Sequence, residues 1–152
     1  MKPNLIAGAW RNATEVQPNI NPSDTEDIID QYAHSGIADV DDAAEAAYLA
    51  GKTWRKSTPQ QRFDLLDAIG TEILARKAEL GDLLSREEGK TLPEGIGEVT
   101  RAGQIFKFFA GEALRTSGET LPSIRPNIQV EISREPLGAI GIITPWNFPM
   151  AI

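Results

Sequence analysis

The sequence predicts an α/β fold, and three observations carry that expectation. Apolar residues recur at helical spacing over most of residues 40–114. Ile128, Val130 and Ile132 then alternate with Gln129, Glu131 and Ser133, the period of a half-exposed strand. Ala139-Ile140-Gly141-Ile142-Ile143 follows as an unbroken apolar run, which reads as a strand buried on both faces of a parallel sheet. With 152 residues, 41% apolar and 24% charged, the chain can build a core and is not of disordered composition.

The first 35 residues read as short strands and turns. Leu5 to Trp10 is apolar, and Asp27 to Ala33 reads as a second strand, so the two are expected to pair as a hairpin with a long loop. Asn19 to Asp24 between them is turn chemistry, with Pro22 fixing φ and Asn, Ser and Asp able to bond nearby backbone.

The middle reads as helices. Asp39 is the expected N-cap of a helix over Val40–Trp54, whose Ala43, Ala46, Ala47 and Ala50 make a slim face suited to close helix packing. Thr58-Pro59-Gln60-Gln61 is a stronger start signal: a cap residue, proline at the first helical position and glutamine at the third. Phe63, Leu66, Ile69 and Ile73 follow at helical spacing, and the pattern continues through Leu80, Leu83 and Leu84 to Gly89, the expected C-cap. A break is expected between Ala75 and Glu79, because one uninterrupted helix there would be unusually long. Another helix starts near Pro93 and ends before Ser117-Gly118.

Composition narrows the function. Acidic residues outnumber basic ones by 22 to 15, a net charge of −7, against the basic excess of a nucleic-acid binder. No apolar run approaches the roughly 20 residues of a membrane span, and Met1 to Ile6 does not read as a signal peptide. There are no cysteines, which excludes a disulfide, a cysteine-held zinc and a thiol nucleophile within these residues. The single His34 excludes a histidine-rich metal site and reads as a strand-end residue facing water. The expectation is a soluble, cytoplasmic protein with neither a nucleic-acid nor a membrane partner.

Most short motifs resolve into structure. Gly89-Lys90-Thr91 imitates the end of a phosphate loop, but Leu84 stands where that loop needs its first glycine. Glu87 and Glu88 are adjacent on a helix and point in different directions. Gly138-Ala139-Ile140-Gly141 precedes its strand rather than following it, so it reads as a turn and a close backbone contact, not a dinucleotide fingerprint.

Thr144-Pro145-Trp146-Asn147-Phe148-Pro149 is different. Two prolines fix the backbone around Asn147 at the carboxyl end of the expected buried strand, where open α/β sheets bind ligands. An asparagine amide held rigidly there can donate to an oxyanion, and Trp146 offers a flat apolar wall. From the residues alone, a purely structural Pro-Trp corner is an equal reading. A parallel strand also needs neighbours reached by long crossovers, and no crossover fits after residue 143. The expectation is therefore a piece of a longer protein, the alternative being a small helical domain with a C-terminal strand.

Gly141 to Pro149 closely resembles the cofactor-strand motif of the NAD(P)-dependent aldehyde dehydrogenase superfamily. Other stretches resemble that family in order along nearly the whole chain: Ile20-Asn21-Pro22, Trp54-Arg55 with Thr58-Pro59 and Arg62, Glu87-Glu88-Gly89-Lys90-Thr91, Phe108-Phe109-Ala110-Gly111 and Arg134-Glu135-Pro136-Leu137-Gly138. Residues 84–138 look most like bacterial 2,5-dioxopentanoate (α-ketoglutaric semialdehyde) dehydrogenases.

The resemblance implies the N-terminal part of that α/β fold. Residues 1–120 would be strands and helices of the cofactor-binding domain, 121–136 an oligomerisation β-ribbon, and 137–152 the first cofactor-binding strand of a Rossmann-like parallel sheet. It implies that Asn147 stabilises the oxyanion, and that Ile143, Thr144, Pro145 and Trp146 line the nicotinamide side of an NAD or NADP site. It implies a homo-oligomer, dimer or tetramer, and oxidation of a small aldehyde to the acid through a cysteine outside these residues. A non-catalytic remnant and a relative that passes the acyl group to coenzyme A are the alternatives.

Overall fold

Three two-stranded antiparallel sheets accompany four helices in the computed structural model, which describes residues 1–152. The first sheet pairs β1 (Asn4–Ile6) with β2 (Ala9–Arg11), Asn4 opposite Arg11. Ala7 and Gly8 between them both have positive φ, 53° and 77°, the handedness a two-residue hairpin turn needs to match strand twist. The apolar Leu5–Trp10 stretch is thus a tight hairpin in itself, not one strand of a long-looped pair.

The second sheet pairs β3 (Glu15–Ile20) with β4 (Ile28–His34), Glu15 opposite His34. β4 lies within a residue of the expected strand, and the exposed His34 closes it. β3 was missed because Pro18 sits inside it; a two-stranded sheet is all edge, and an edge tolerates a residue with no N–H. Asn19 and Ile20 of the expected turn belong to β3, and the turn chemistry begins at Asn21: its side chain accepts the Ser23 N–H at 2.9 Å, and Asp24 accepts the Glu26 N–H at 3.1 Å.

Helix α1 (Ile37–Trp54) starts three residues earlier than expected. Gly36 is its N-cap, and Asp39 accepts the Gly36 N–H at 3.0 Å from inside the first turn. No helix packs on its small-residue face; Ala47, Ala50 and Gly51 instead border an open cavity facing residues 134–139. Helix α2 (Pro59–Ala75) begins as the sequence indicates, with Thr58 Oγ1 accepting the Gln61 N–H and Gln61 Oε1 accepting the Thr58 N–H. The expected break falls at Arg76, and α3 (Lys77–Glu88) ends on Gly89 at φ 74°. Thr91 caps α4 (Leu92–Ala113), with the Glu94 carboxylate accepting its N–H and its hydroxyl.

The core lies where α4 crosses α2 and α3. It is small: Leu84, Val99, Ala102 and Ala110 are buried there, and only 10 of 152 residues are buried in all. Glycines make the crossings close. A Cβ on Gly103 would stand 2.6 Å from Leu74 Cγ, and one on Gly81 would stand 2.6 Å from Ile96 Cγ1. No helix is long and apolar enough to cross a membrane.

The alternating segment is β6 (Gln129–Ile132), paired with β5 (Glu119–Pro122), Leu121 opposite Val130. This ribbon is exposed along both strands. The strand expected over residues 139–143 does not form. Ile142 and Ile143 are 75% and 98% exposed rather than buried on two faces. The reason is the absence of a neighbour: all three sheets are antiparallel pairs, and none lies beside this run to supply a parallel ladder. Gly138 takes a positive φ, as a turn requires, but nothing approaches Gly141, so the expected close contact there is absent.

Candidate functional site

The end of α3 and the start of α4 are where distant parts of the chain converge. Arg86 forks onto Asp27 of the β3–β4 turn, Nη2 to Oδ1 at 2.6 Å and Nε to Oδ2 at 2.9 Å. The Arg86 hydrogen bond, followed by that from Asn21, holds the Asp27 carboxyl down at about 2. Glu87 Oε1 accepts both the Asn19 amide at 2.7 Å and the Tyr32 hydroxyl at 2.9 Å. Partial burial and then that Glu87 contact push the Tyr32 phenol up. Ser23 Oγ donates to the Gly89 carbonyl at 3.1 Å. Gly89 is required by its left-handed φ, and a Cβ there would also meet Ser23 Oγ at 2.7 Å.

Glu88 points away from its neighbour Glu87, as adjacency on a helix dictates, and lies against the Lys90 ammonium. Its oxygens are buried without a hydrogen bond, so charge alone compensates them. Lys90 Nζ also meets Glu98 Oε2 at 2.5 Å and stands 4.7 Å over the Phe148 ring. Its remaining contact is to the corner itself: Nζ donates to the Asn147 carbonyl at 3.1 Å.

Glu98 holds the other side of that corner. Its side chain is 1% exposed, on the inward face of α4 beside Val99 and Ala102. Residues 148–152 form one helical turn, closed by the Ile152 N–H to the Phe148 carbonyl at 3.1 Å, with Pro149 at its first position. The opening N–H groups of such a turn have no partner within it. Glu98 Oε1 accepts two of them, Met150 at 2.9 Å and Ala151 at 3.3 Å. An ionised carboxylate is a strong acceptor for such donors, and burial makes their presence obligatory.

The structure therefore ties the Asn147 backbone to Lys90, and the turn that follows it to Glu98, and leaves Asn147 exposed beside a cleft of ≈480 Å³. Trp146 is 90% exposed, Ile143 and Thr144 are exposed, and Pro145 is half-buried. These four form a stretch leading into the corner that is exposed except at the half-buried Pro145, not an enclosed pocket. Such a stretch fits one wall of a cofactor site, with apolar faces and peptide groups not used in any sheet. The sequence reading missed Lys90 and Glu98 as anchors of the corner, Lys90 on Asn147 and Glu98 on Met150 and Ala151. A signal existed: Glu98 shares a helical stripe with Gly95 and Ala102, and a carboxylate on a buried stripe needs a partner.

Comparison with known proteins gives this arrangement its setting. The profile of the aldehyde dehydrogenase family matches residues 10–152. The α-ketoglutaric semialdehyde dehydrogenase of Bacillus subtilis is 37% identical over 151 residues, covering 98% of this chain and 31% of that protein. A crystal structure of Staphylococcus aureus betaine aldehyde dehydrogenase in complex with NAD+ matches 99% of this chain and 31% of that one, at 28% identity and a TM-score of 0.92. An E. coli NADP dependent enzyme matches 99% and 31%, at 30% identity and a TM-score of 0.93. The chain thus spans about a third of the length of the proteins it matches, and its helices and strands are those of the N-terminal part of their α/β fold. With a family profile running from Trp10 to the last residue, through the β3–β4 sheet, the four helices, the β5–β6 ribbon and the anchored asparagine corner, the chain belongs to the aldehyde dehydrogenase family.

Proposed function

We propose that these residues are the N-terminal part of an enzyme that oxidises a small aldehyde to its acid. The semialdehyde 2,5-dioxopentanoate is the first candidate, in keeping with the name of the Bacillus subtilis relative. The observation that carries the proposal is the Asn147 corner, where a rigid backbone presents an exposed amide. In this reading a cysteine outside the 152 residues adds to the aldehyde carbon. The Asn147 amide donates to the oxygen as it gains negative charge, and stabilising that oxygen lowers the barrier. Ile143, Thr144, Pro145 and Trp146 supply one wall for the nicotinamide ring of NAD or NADP. When bound, the nicotinamide would supply the hydride acceptor that the oxidation requires. The β5–β6 ribbon joins copies of the enzyme into a dimer or tetramer, and the enzyme works in the cytoplasm.

The experiment is Asn147→Ala in the full-length enzyme. One lost oxyanion donor should lower kcat by about 10²–10³-fold, with cofactor affinity changed far less. A variant within a few-fold of wild type would make Asn147 a structural corner only. Assay with and without coenzyme A separates hydrolysis of the acyl-enzyme from acyl transfer, and only a coenzyme A requirement would favour the acylating alternative.

A further inference from the structure

Glu98 has no part in the chemistry proposed above, yet it is the most deeply buried carboxylate side chain of those in salt bridges. We propose that Glu98 is a positioning residue for Asn147, acting with Lys90 as a two-sided clamp on the corner's backbone. The proposal rests on the reading of Asn147 as the oxyanion donor.

The geometry is that of a clamp. Lys90 Nζ grips the carbonyl of Asn147 itself. Glu98 Oε1 grips the N–H groups of Met150 and Ala151, just beyond Pro149. Glu98 Oε2 and Lys90 Nζ then grip each other at 2.5 Å, so neither jaw moves independently. The Phe148 ring covers the ammonium and limits its exposure. If the corner swung away, Glu98 would lose two of its three donors while remaining buried, a costly state for a carboxylate.

Only two side-chain torsions separate the Asn147 amide from this held backbone. Fixing the chain at the Asn147 carbonyl and again at Met150 and Ala151 limits how far the backbone that carries the amide can shift. An oxyanion donor is useful only within about 2.7–3.1 Å of the developing charge, so a small displacement of the corner removes its effect. Lys90 and Glu98 need not touch substrate to govern the rate.

The test uses Glu98→Gln in the full-length enzyme, which keeps the shape and removes the charge. Hydrogen exchange in a peptide covering residues 147–152 should quicken about tenfold, as a charge-assisted bond becomes a neutral one. Exchange in α2 should stay unchanged. kcat should fall while KM for the cofactor changes little, and Asn147→Ala combined with Glu98→Gln should be no slower than Asn147→Ala alone, because both act through one group. Unchanged exchange at 147–152, equal quickening in α2, or losses that add in the double variant would each overturn the proposal. If Glu98→Gln fails to fold, Lys90→Gln opens the other jaw and is judged by the same exchange and double-variant outcomes. A wild-type rate in Asn147→Ala would overturn the oxyanion reading, while quickened exchange at 147–152 in Glu98→Gln would still uphold the clamp.

Discussion

Gly95 of α4 lies so close to Gly81 of α3 that a Cβ on Gly95 would overlap the Gly81 carbonyl oxygen. The obstacle is backbone, which cannot rotate out of the way as a side-chain tip can. This contact sets the distance between two of the three helices that form the core.

Gly95→Ala should therefore destabilise the domain by about 1–3 kcal/mol, the usual cost of overpacking. Gly97→Ala on the same helix is the control, since nothing lies within 4 Å of a Cβ there. It should be neutral or stabilise by up to about 1 kcal/mol through helix propensity. Urea unfolding of both variants checks the contrast, and equal midpoints would refute the close-contact argument.

Thr58→Ala should cost about 1 kcal/mol by leaving the first turn of α2 uncapped. Half of a reciprocal pair is lost, since Gln61 can still accept the Thr58 N–H. Thr58→Ser should recover most of the loss in the same thermal melts.

The Asp27–Arg86 bridge predicts a pH dependence. The Asp27 carboxyl is held down from 3.8 to about 2 in the folded state, mainly by the Arg86 hydrogen bond and then by that of Asn21. A carboxyl lowered by folding contributes its full stability above the unfolded value and loses it as pH falls through the folded one. The stability difference between wild type and Asp27→Asn should thus be constant above pH 3.8 and close toward pH 2. A difference that persists at pH 2 would mean that the aspartate charge is not what holds the turn to α3.

The 152 residues alone should produce no NAD(P)H from any aldehyde. They contain no cysteine to form the thiohemiacetal from which hydride would leave. Sustained absorbance growth above a blank would refute the proposed mechanism.

The isolated chain should also self-associate. Leu137, Ile143 and Trp146 are 94%, 98% and 90% exposed, and the β5–β6 ribbon offers free edges. Size-exclusion chromatography with light scattering should give masses above 16.6 kDa. Val130→Pro should weaken association by spoiling the ribbon. A clean monomer at high concentration that unfolds cooperatively would show that these surfaces need no cover.

What the sequence determined by itself is local. Thr58-Pro59-Gln60-Gln61 started α2, Gly89 stopped α3, and the turn residues 21–24 bent the chain, because each acts through backbone only a few residues away. The corner around Asn147 was legible for the same reason, as was the family, through motifs spread in order along the chain. Tertiary structure decided what depended on distant partners. Pro18 hid β3 until β4 paired with it, and Leu5–Trp10 chose its own hairpin over a longer one. Ile140, Ile142 and Ile143 have the composition of a buried strand yet form none, since a ladder requires a neighbour that these residues do not supply. Glu98 shares a stripe with Gly95 and Ala102, but its contacts exist only because folding buries it beside Lys90 and against the Met150 and Ala151 N–H groups of the corner.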